Sequence, residues 1–490
     1  MDMASEPFTS SGDPVAGDNF WGDSPRNSSQ DREPGAPAVA DLLPPPAEPQ
    51  VEQPDRTNAL GQPTERPQPP PYAIGGQYRV MFNAANFDFH PTDITDVQKS
   101  QTFFNQRFRT WLTVAPNENV GAYLQVQMGH NLWGEQFEFV KANVAPLFPV
   151  GDRVGIALRR GYLTYRKDGL GELRLGVQDW QDTFGQTLAS ADWDFNVGGL
   201  LWERPLPRLG DAQMRLGWFT LSEGDVQLAD DALLVALDVA WQPSDQACLG
   251  LAAYYLLDQG GYSYPAAVPY ASAWDAWLGV RGARRLGPVP VNAFFLYNPG
   301  QRKELGGLPT YSHHGFATKL ETGPLPVGPG AWSVQIVYAT GKARADQTHS
   351  NEFRTIAQST RDNFGAQGYW SYLVITSPHG PSDVNDLGVS LQNRGLGLFT
   401  VQTKYEYPLL ERLRGAVAVG WLRSATPNPA SRATDMGTEL ANIFTYDFGG
   451  GLKADFGASV LFTGDFYKTS PEGRWPDTLY EALGRVQLEF

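Results

Sequence analysis

One cysteine, Cys248, and six histidines are all that 490 residues contain of the softer metal ligands. A lone thiol cannot form an internal disulfide, and a cysteine-built metal site needs several ligands, so both are excluded. Cys248 is expected to be a buried small hydrophobe, and no metal, cofactor or nucleic-acid partner is expected. No uncharged apolar run approaches the roughly 18 residues that a membrane helix requires, which excludes a helical membrane protein. Nor does any N-terminal stretch read as a secretory signal peptide. Aliphatic residues are scarce as well. Hydrophobic residues make up 41% of the chain, below the usual globular share, while aromatics reach 12% with 14 Trp, 20 Tyr and 26 Phe. Few aliphatics and many aromatics suit an architecture with one apolar face per strand and aromatic belts at its edges.

Residues 1–75 differ from everything that follows. They hold 15 of the 38 prolines and 12 Asp/Glu against 4 Arg, or −8 of the formal −15. Runs such as Pro44-Pro45-Pro46 favour extended, solvated backbone and cannot bury enough surface to fold alone. This stretch is expected to be a disordered, acidic, proline-rich periplasmic tail, serving as a linker or docking a periplasmic partner.

From Gln77 onward the dominant signal is alternation with period two, the mark of a strand with two chemically different sides. In 102–114, Asn105, Arg107, Arg109 and Trp111 share one face, while Phe104, Phe108, Leu112 and Val114 fall on the other. The turn at 116–119 leads into a partner strand, and the pattern returns at 156–165, 172–180, 213–221, 233–241 and onward to 452–463. The chain ends on it. Tyr480, Ala482, Gly484, Val486, Leu488 and Phe490 line one face of 479–490, and Glu481, Arg485, Gln487 and Glu489 line the other. Strands of roughly ten residues in this number, about 16–18, predict one antiparallel transmembrane β-barrel over 76–490, closed by pairing of the last strand with the first near Gln77–Asn83.

Connection lengths sort in the same sense. Tight turns fall at 115–119, 167–170, 242–246, 408–413 and 449–451; long segments fall at 86–100, 131–155, 258–272, 341–395 and 464–478. Short turns on one rim and long loops on the other are a barrel's signature. The longest connection, 341–395, is a candidate gate, with a short helix expected near 352–362.

Three stretches resemble the alginate-export family of outer-membrane porins: Leu173–Thr187 continuing to Asp192–Phe195, the hairpin opened by Arg107–Trp111, and Met436–Tyr446 through Ala458–Tyr467. The resemblance spans about 77–490 and leaves out the tail. It implies a barrel of about 18 strands in the bacterial outer membrane that passes an anionic polysaccharide or small solutes through an arginine-lined constriction. It also implies that the terminal aromatic strand, with Phe490, Leu488 and Val486, is read by the barrel-assembly machinery. An outer-membrane protein needs a signal peptide, so the chain is expected to be a processed form or to start without one. Guanidinium binds carboxylate through paired, charge-assisted hydrogen bonds, so Arg107, Arg109, Arg160, Arg174 and Arg281 are candidate pore-lining residues, joined by Lys404 and Lys453. The pattern departs from the family at Gly176–Asp179, where a basic residue is expected and Asp179 stands. With Asp238 and Glu406 on the same face, the lumen is of mixed charge, which leaves neutral sugars and cations open.

Other readings compete. Inward arginines also build structural ladders with carboxylates. Trp180, Trp193, Trp202, Trp218, Trp241 and Trp421 are expected to serve as interfacial girdle or wall packing. Ser312, His313 and His314 lack an orienting partner, and the Asp192/Asp194 pair lacks a second motif, so no enzymatic activity is expected. Two alternatives to a passive channel are a barrel scaffold that docks a partner through its tail and a soluble all-β carbohydrate-binding protein.

Overall fold

Eighteen strands obey the alternation and pair in chain order. The computed structural model describes residues 71–87, 100–132, 156–191, 195–210, 212–223, 231–244, 246–259, 270–304, 310–342, 348–356, 371–377, 387–468 and 476–490. The proline-rich segment 1–70 and the Asp192–Asp194 motif with Trp193 lie outside these. The strands are β1 Tyr72–Ala85, β2 Gln101–Val114, β3 Val120–Leu132, β4 Ile156–Lys167, β5 Gly171–Asp179 and β6 Asn196–Leu206. There follow β7 Ala212–Ser222, β8 Ala232–Ser244, β9 Ala247–Asp258, β10 Tyr270–Leu286, β11 Val289–Glu304, β12 Tyr311–Val327 and β13 Gly330–Ala339. The set ends with β14 His349–Ser350, β15 Leu398–Leu410, β16 Leu413–Ser424, β17 Asp435–Gly449, β18 Leu452–Thr463 and β19 Thr478–Glu489. The two residues of β14 pair in parallel with Ser312 and His313, while β13 pairs directly with β15, so β14 is not part of the wall.

The ring closes where the terminal strand predicts. β19 pairs antiparallel with β1 from Gln77↔Glu489 to Ala85↔Glu481. Every other wall strand pairs antiparallel with its neighbours, leaving no open sheet edge. The first strand starts at Tyr72, opposite Val114 of β2, four residues ahead of the boundary expected at 76.

Burial follows the alternation, inverted relative to a water-soluble protein. Gln77, Arg79, Asn83, Asn105, Arg107, Arg109, Gln125 and Gln127 are buried, whereas Leu163, Leu175, Trp218, Leu251, Phe456 and Tyr480, on six different strands, are each 56–60% exposed. An apolar belt of that extent has no stable place in water, and it is what the hydrocarbon interior of a bilayer accepts. A soluble carbohydrate-binding protein is therefore ruled out. No helix among the described residues is long and apolar enough to cross a membrane; the strands do the crossing. Trp218, Trp241 and Trp421 sit on this outer face as expected.

Short and long connections alternate around the barrel, sorting onto two rims. At the β17–β18 turn, Gly449, Gly450 and Gly451 all have positive φ, and a Cβ on Gly451 would lie 2.0 Å from the Glu489 carbonyl oxygen. Only glycine makes that approach. Two long-rim connections turn inward. Leu188 and Ala189 of the β5–β6 connection, and Phe353, Ile356, Leu373, Val374, Ile375 and Leu391 of the β13–β15 connection, are buried with inward wall side chains in one apolar cluster. One expectation is corrected here. Residues 352–356 are not helical, and 357–362 lie outside the described residues. Of the two roles expected for the tryptophans, Trp180 takes wall packing: it is buried inside the barrel, its ring 5.9, 5.8 and 5.4 Å from those of Phe195, Phe219 and Tyr254.

Candidate functional site

The inward loops meet the wall at two chemically different places. On one side, β1 to β4 and β19 present Arg79, Arg107, Arg109, Arg159, Arg160 and Arg485, all buried. Alternation places them there: Arg79 stands opposite Arg107, and Gln77 opposite Arg109, in the β1–β2 register. A bulge between Gln125 and Val126 lets the adjacent Arg159 and Arg160 both stay on the buried side. Glutamines orient three of these groups. Arg107 donates to Gln77 Oε1 at 2.9 Å, Arg109 Nε to Gln127 Oε1 at 2.7 Å, and Arg159 to Gln125 Oε1 at 2.7 Å. A glutamine fixes a guanidinium without cancelling its charge.

Arg160 links this wall to the β5–β6 loop. Its Nε donates to Asn196 Oδ1 at 2.9 Å, a terminal nitrogen to the Ala191 carbonyl at 3.3 Å, and Asp179 lies 3.6 Å away. The loop is organised around Asp182, whose carboxylate accepts the N–H groups of Phe184, Leu188 and Ala189 at 2.7, 2.6 and 2.9 Å. Burial pushes the Asp182 carboxyl up to about 6, against the pull of these donors.

Opposite, on β7 to β12, the lumen carries paired charges that anchor the loops. Arg215 bonds Asp238 at 2.9 Å and the Gln181 carbonyl at 2.7 Å, and Thr183 and Tyr254 donate to the same carboxylate. Segment 348–356 is stitched to the wall by its backbone: the Arg354 N–H donates to Asn298 Oδ1 at 2.9 Å, and Trp277 Nε1 donates to the Arg354 carbonyl at 2.7 Å. Asp275 lies 2.8 Å from His313 and 3.6 Å from Arg354. Segment 371–377 lies against β12 and β15 to β18. Gln402 Oε1 accepts Ser371 Oγ and the Tyr372 N–H, and Tyr372 donates to Glu321 at 2.5 Å.

Of the ten pore-lining candidates, Arg107, Arg109, Arg160, Arg174, Arg281, Lys404, Lys453, Asp238 and Glu406 lie on inward registers, and Asp179 at the end of β5 reaches Arg160. They do not form one site. Arg107, Arg109 and Arg160 belong to the arginine wall. Arg174 is held by Glu172, two residues back on its own strand, at 2.7 Å and by Glu203 of β6 at 3.1 Å, near the short-turn rim. Lys404 pairs with Glu406 at 3.1 Å and stands over the Tyr372 ring. Asp238 is committed to the β5–β6 loop. Lys453 faces Gln487 near the short-turn rim. Arg281 lines a cavity between the Phe184 loop and the wall, with Cys248, Phe294, Lys319 and Glu321. Cys248 is buried there, as expected.

Arg79, Arg159 and Arg215 were missing from those candidates; the alternation Gln77, Arg79, Met81, Asn83 marks the first. His313, expected to lack an orienting partner, has Asp275 2.8 Å away, but Ser312 points to the opposite face of β12 and His314 is exposed against Tyr297. Among the described residues no cluster of His, Cys, Asp and Glu could hold a metal ion.

No protein-family model matches the chain, and no curated protein matches it in sequence. Its likeness lies in fold. The Pseudomonas aeruginosa channel OccK11 (OpdR) aligns with 86% of this chain and 96% of its own, at a TM-score of 0.51 and 12% identity. OccK2 (OpdF) from the same organism, solved in complex with glucuronate, covers 86% and 98% at 0.52 and 10%. OpdK, solved with vanillate, covers 85% and 98% at 0.50 and 12%. The fold is that of bacterial outer-membrane porins, and the matches do not carry the resemblance to alginate-export porins.

Proposed function

We propose that this chain is an outer-membrane channel for small anionic solutes bearing carboxylates, with uronates and short acidic sugars the best-fitting class. The observation that carries the reading is the arginine wall on β1 to β4, which reaches the inward β5–β6 loop through Arg160. A ring of basic side chains at a constriction favours anions, and glutamines orient Arg107, Arg109 and Arg159 on the inward face of the wall. The mixed charge on β7 to β12 is bound up with loop anchoring, while on the arginine wall itself Arg485 pairs with Asp455 at 2.7 Å and Arg160 lies 3.6 Å from Asp179. That the glucuronate-bound OccK2 shares the fold is consistent with a uronate. A polymer such as alginate remains the more demanding version of the same chemistry, since two inward loops narrow the path.

The test is solute-specific block in a planar bilayer. Glucuronate added to one side should interrupt the ionic current in discrete events, and glucose at the same concentration should not. Equal behaviour of the two would remove the carboxylate preference.

A further inference from the structure

Glu439 of β17 is fully buried, and no lysine or arginine pairs with it among the described residues. Five donors take the place of a cation. Oε1 accepts the N–H groups of Val374 and Ile375 at 2.7 and 2.8 Å and the Ser459 hydroxyl at 2.7 Å; Oε2 accepts the Thr376 N–H at 2.9 Å and the Thr376 hydroxyl at 2.6 Å. Three successive backbone N–H groups converging on one carboxylate form an anion nest, here filled by the protein's own side chain. Four of the five donors belong to a loop segment more than sixty residues away in sequence, and the fifth, Ser459, faces Glu439 from β18.

The wall beside Glu439 is cut to receive that segment. Gly420 of β16, whose register partner on β17 is Glu439, leaves room for Leu373: a Cβ at position 420 would lie 2.6 Å from Leu373 Cδ1. Gln402 on β15 holds Ser371 and Tyr372 next to it. Val374, Ile375 and Thr376 are accordingly buried inside the barrel.

From this geometry we infer that Glu439 is the positioning residue of the constriction: its carboxylate captures segment 371–377 and holds it inside the lumen, thereby limiting the width of the path. The inference rests on the channel reading for its effect on conductance, but the capture itself stands apart from that reading. Removing the carboxylate leaves five donors facing an empty anion site, and the segment loses its hold on the wall. A small carboxylate from solution has the chemistry to refill the site.

Two readouts on Glu439→Ala and the isosteric Glu439→Gln test this. Amide hydrogen exchange at 374–376 should be slow in the wild type; both variants should lose that protection while the β16 to β18 strand amides keep theirs. Acetate in the bath should restore protection in Glu439→Ala, and chloride at equal ionic strength should not. In bilayers, both variants should show single-channel conductance raised about twofold or more, with acetate bringing Glu439→Ala back toward the wild type. Unchanged exchange at 374–376 overturns the capture, whether or not the protein conducts. Lost protection with unchanged conductance overturns the role in setting width. A wild type that never conducts contradicts the channel reading and leaves exchange to decide the capture.

Discussion

The backbone N–H of Ile356 donates to the carbonyl of Leu188 at 3.1 Å. That bond joins the two inward loops to each other, one leaving the wall after β5 and the other after β13. The two inward loops form a cross-braced pair whose members are also fastened separately to the wall.

Asp182 is the fastening within the first loop. Asp182→Ala removes three hydrogen bonds to a buried carboxylate, each worth about 1.5–3 kcal/mol and not additive. The loss should stay local. Exchange at the Leu188 and Ala189 amides should accelerate strongly, while β5 and β6 keep their protection and the barrel stays folded. Accelerated exchange throughout β5 and β6 would mean that the loop and wall form one cooperative unit.

At Gly315 on β12 the backbone of the second loop lies against the wall with no room for a side chain. A Cβ there would sit 2.3 Å from the Glu352 carbonyl oxygen and 2.5 Å from the Phe353 Cα. Backbone cannot swing aside as a side chain can, so Gly315→Ala should cost about 1–3 kcal/mol and displace 352–356 from its seat. Limited chymotrypsin digestion checks this: cleavage after Phe353 should be absent in the wild type and rapid in the variant. Equal resistance would show that the seat tolerates a methyl group.

The wall was legible in the sequence because a barrel strand must present opposite chemistry on its two sides, and Arg107-Phe108-Arg109 or Val486-Gln487-Leu488 shows that without any partner. The inward loops were not legible. Trp180, Phe184 and Leu188 are interrupted by Asp182 and Gln186 and follow no period-two pattern, and only Phe219, Tyr254 and Phe294, brought near by the closed ring, make them a plug. Residues 352–356, where a helix was expected to begin, are not helical for a related reason. Residues 352–356 satisfy their backbone groups through Thr340, Asn298 and Trp277 of the wall, leaving no gain in helical bonds. Glu439 could be placed inward by alternation, but its partners could not be found by any local pattern.

The outer face makes a prediction that depends on lipid. Leu251 of β9 points away from the lumen and is 57% exposed. Leu251→Arg should destabilise the barrel by about 2–4 kcal/mol in bilayers if the position lies near mid-membrane, as measured by denaturant unfolding in liposomes. A neutral effect would place this belt outside the hydrocarbon.

Phe490 is bonded into the closure as well as exposed on it. Its N–H and carbonyl exchange hydrogen bonds with Gly76 at 3.0 and 2.8 Å, and its ring stacks near Phe108. Deleting Phe490 removes the last pair of closing bonds and the terminal aromatic together. Folded barrel recovered from cell envelopes should fall sharply, while refolding of the purified chain in detergent should fall less. An equal loss in both would assign the residue to stability alone and not to recognition by the assembly machinery.

The arginine wall is proposed to set which ions pass. Reversal potential in a potassium chloride gradient tests it most directly, for the wild type and for Arg109→Ala and Arg160→Ala. The wild type should reverse on the anion-selective side, and each substitution should move the potential toward the cation-selective side. If neither substitution moves it, or if the wild type is cation-selective, the arginine wall does not govern passage.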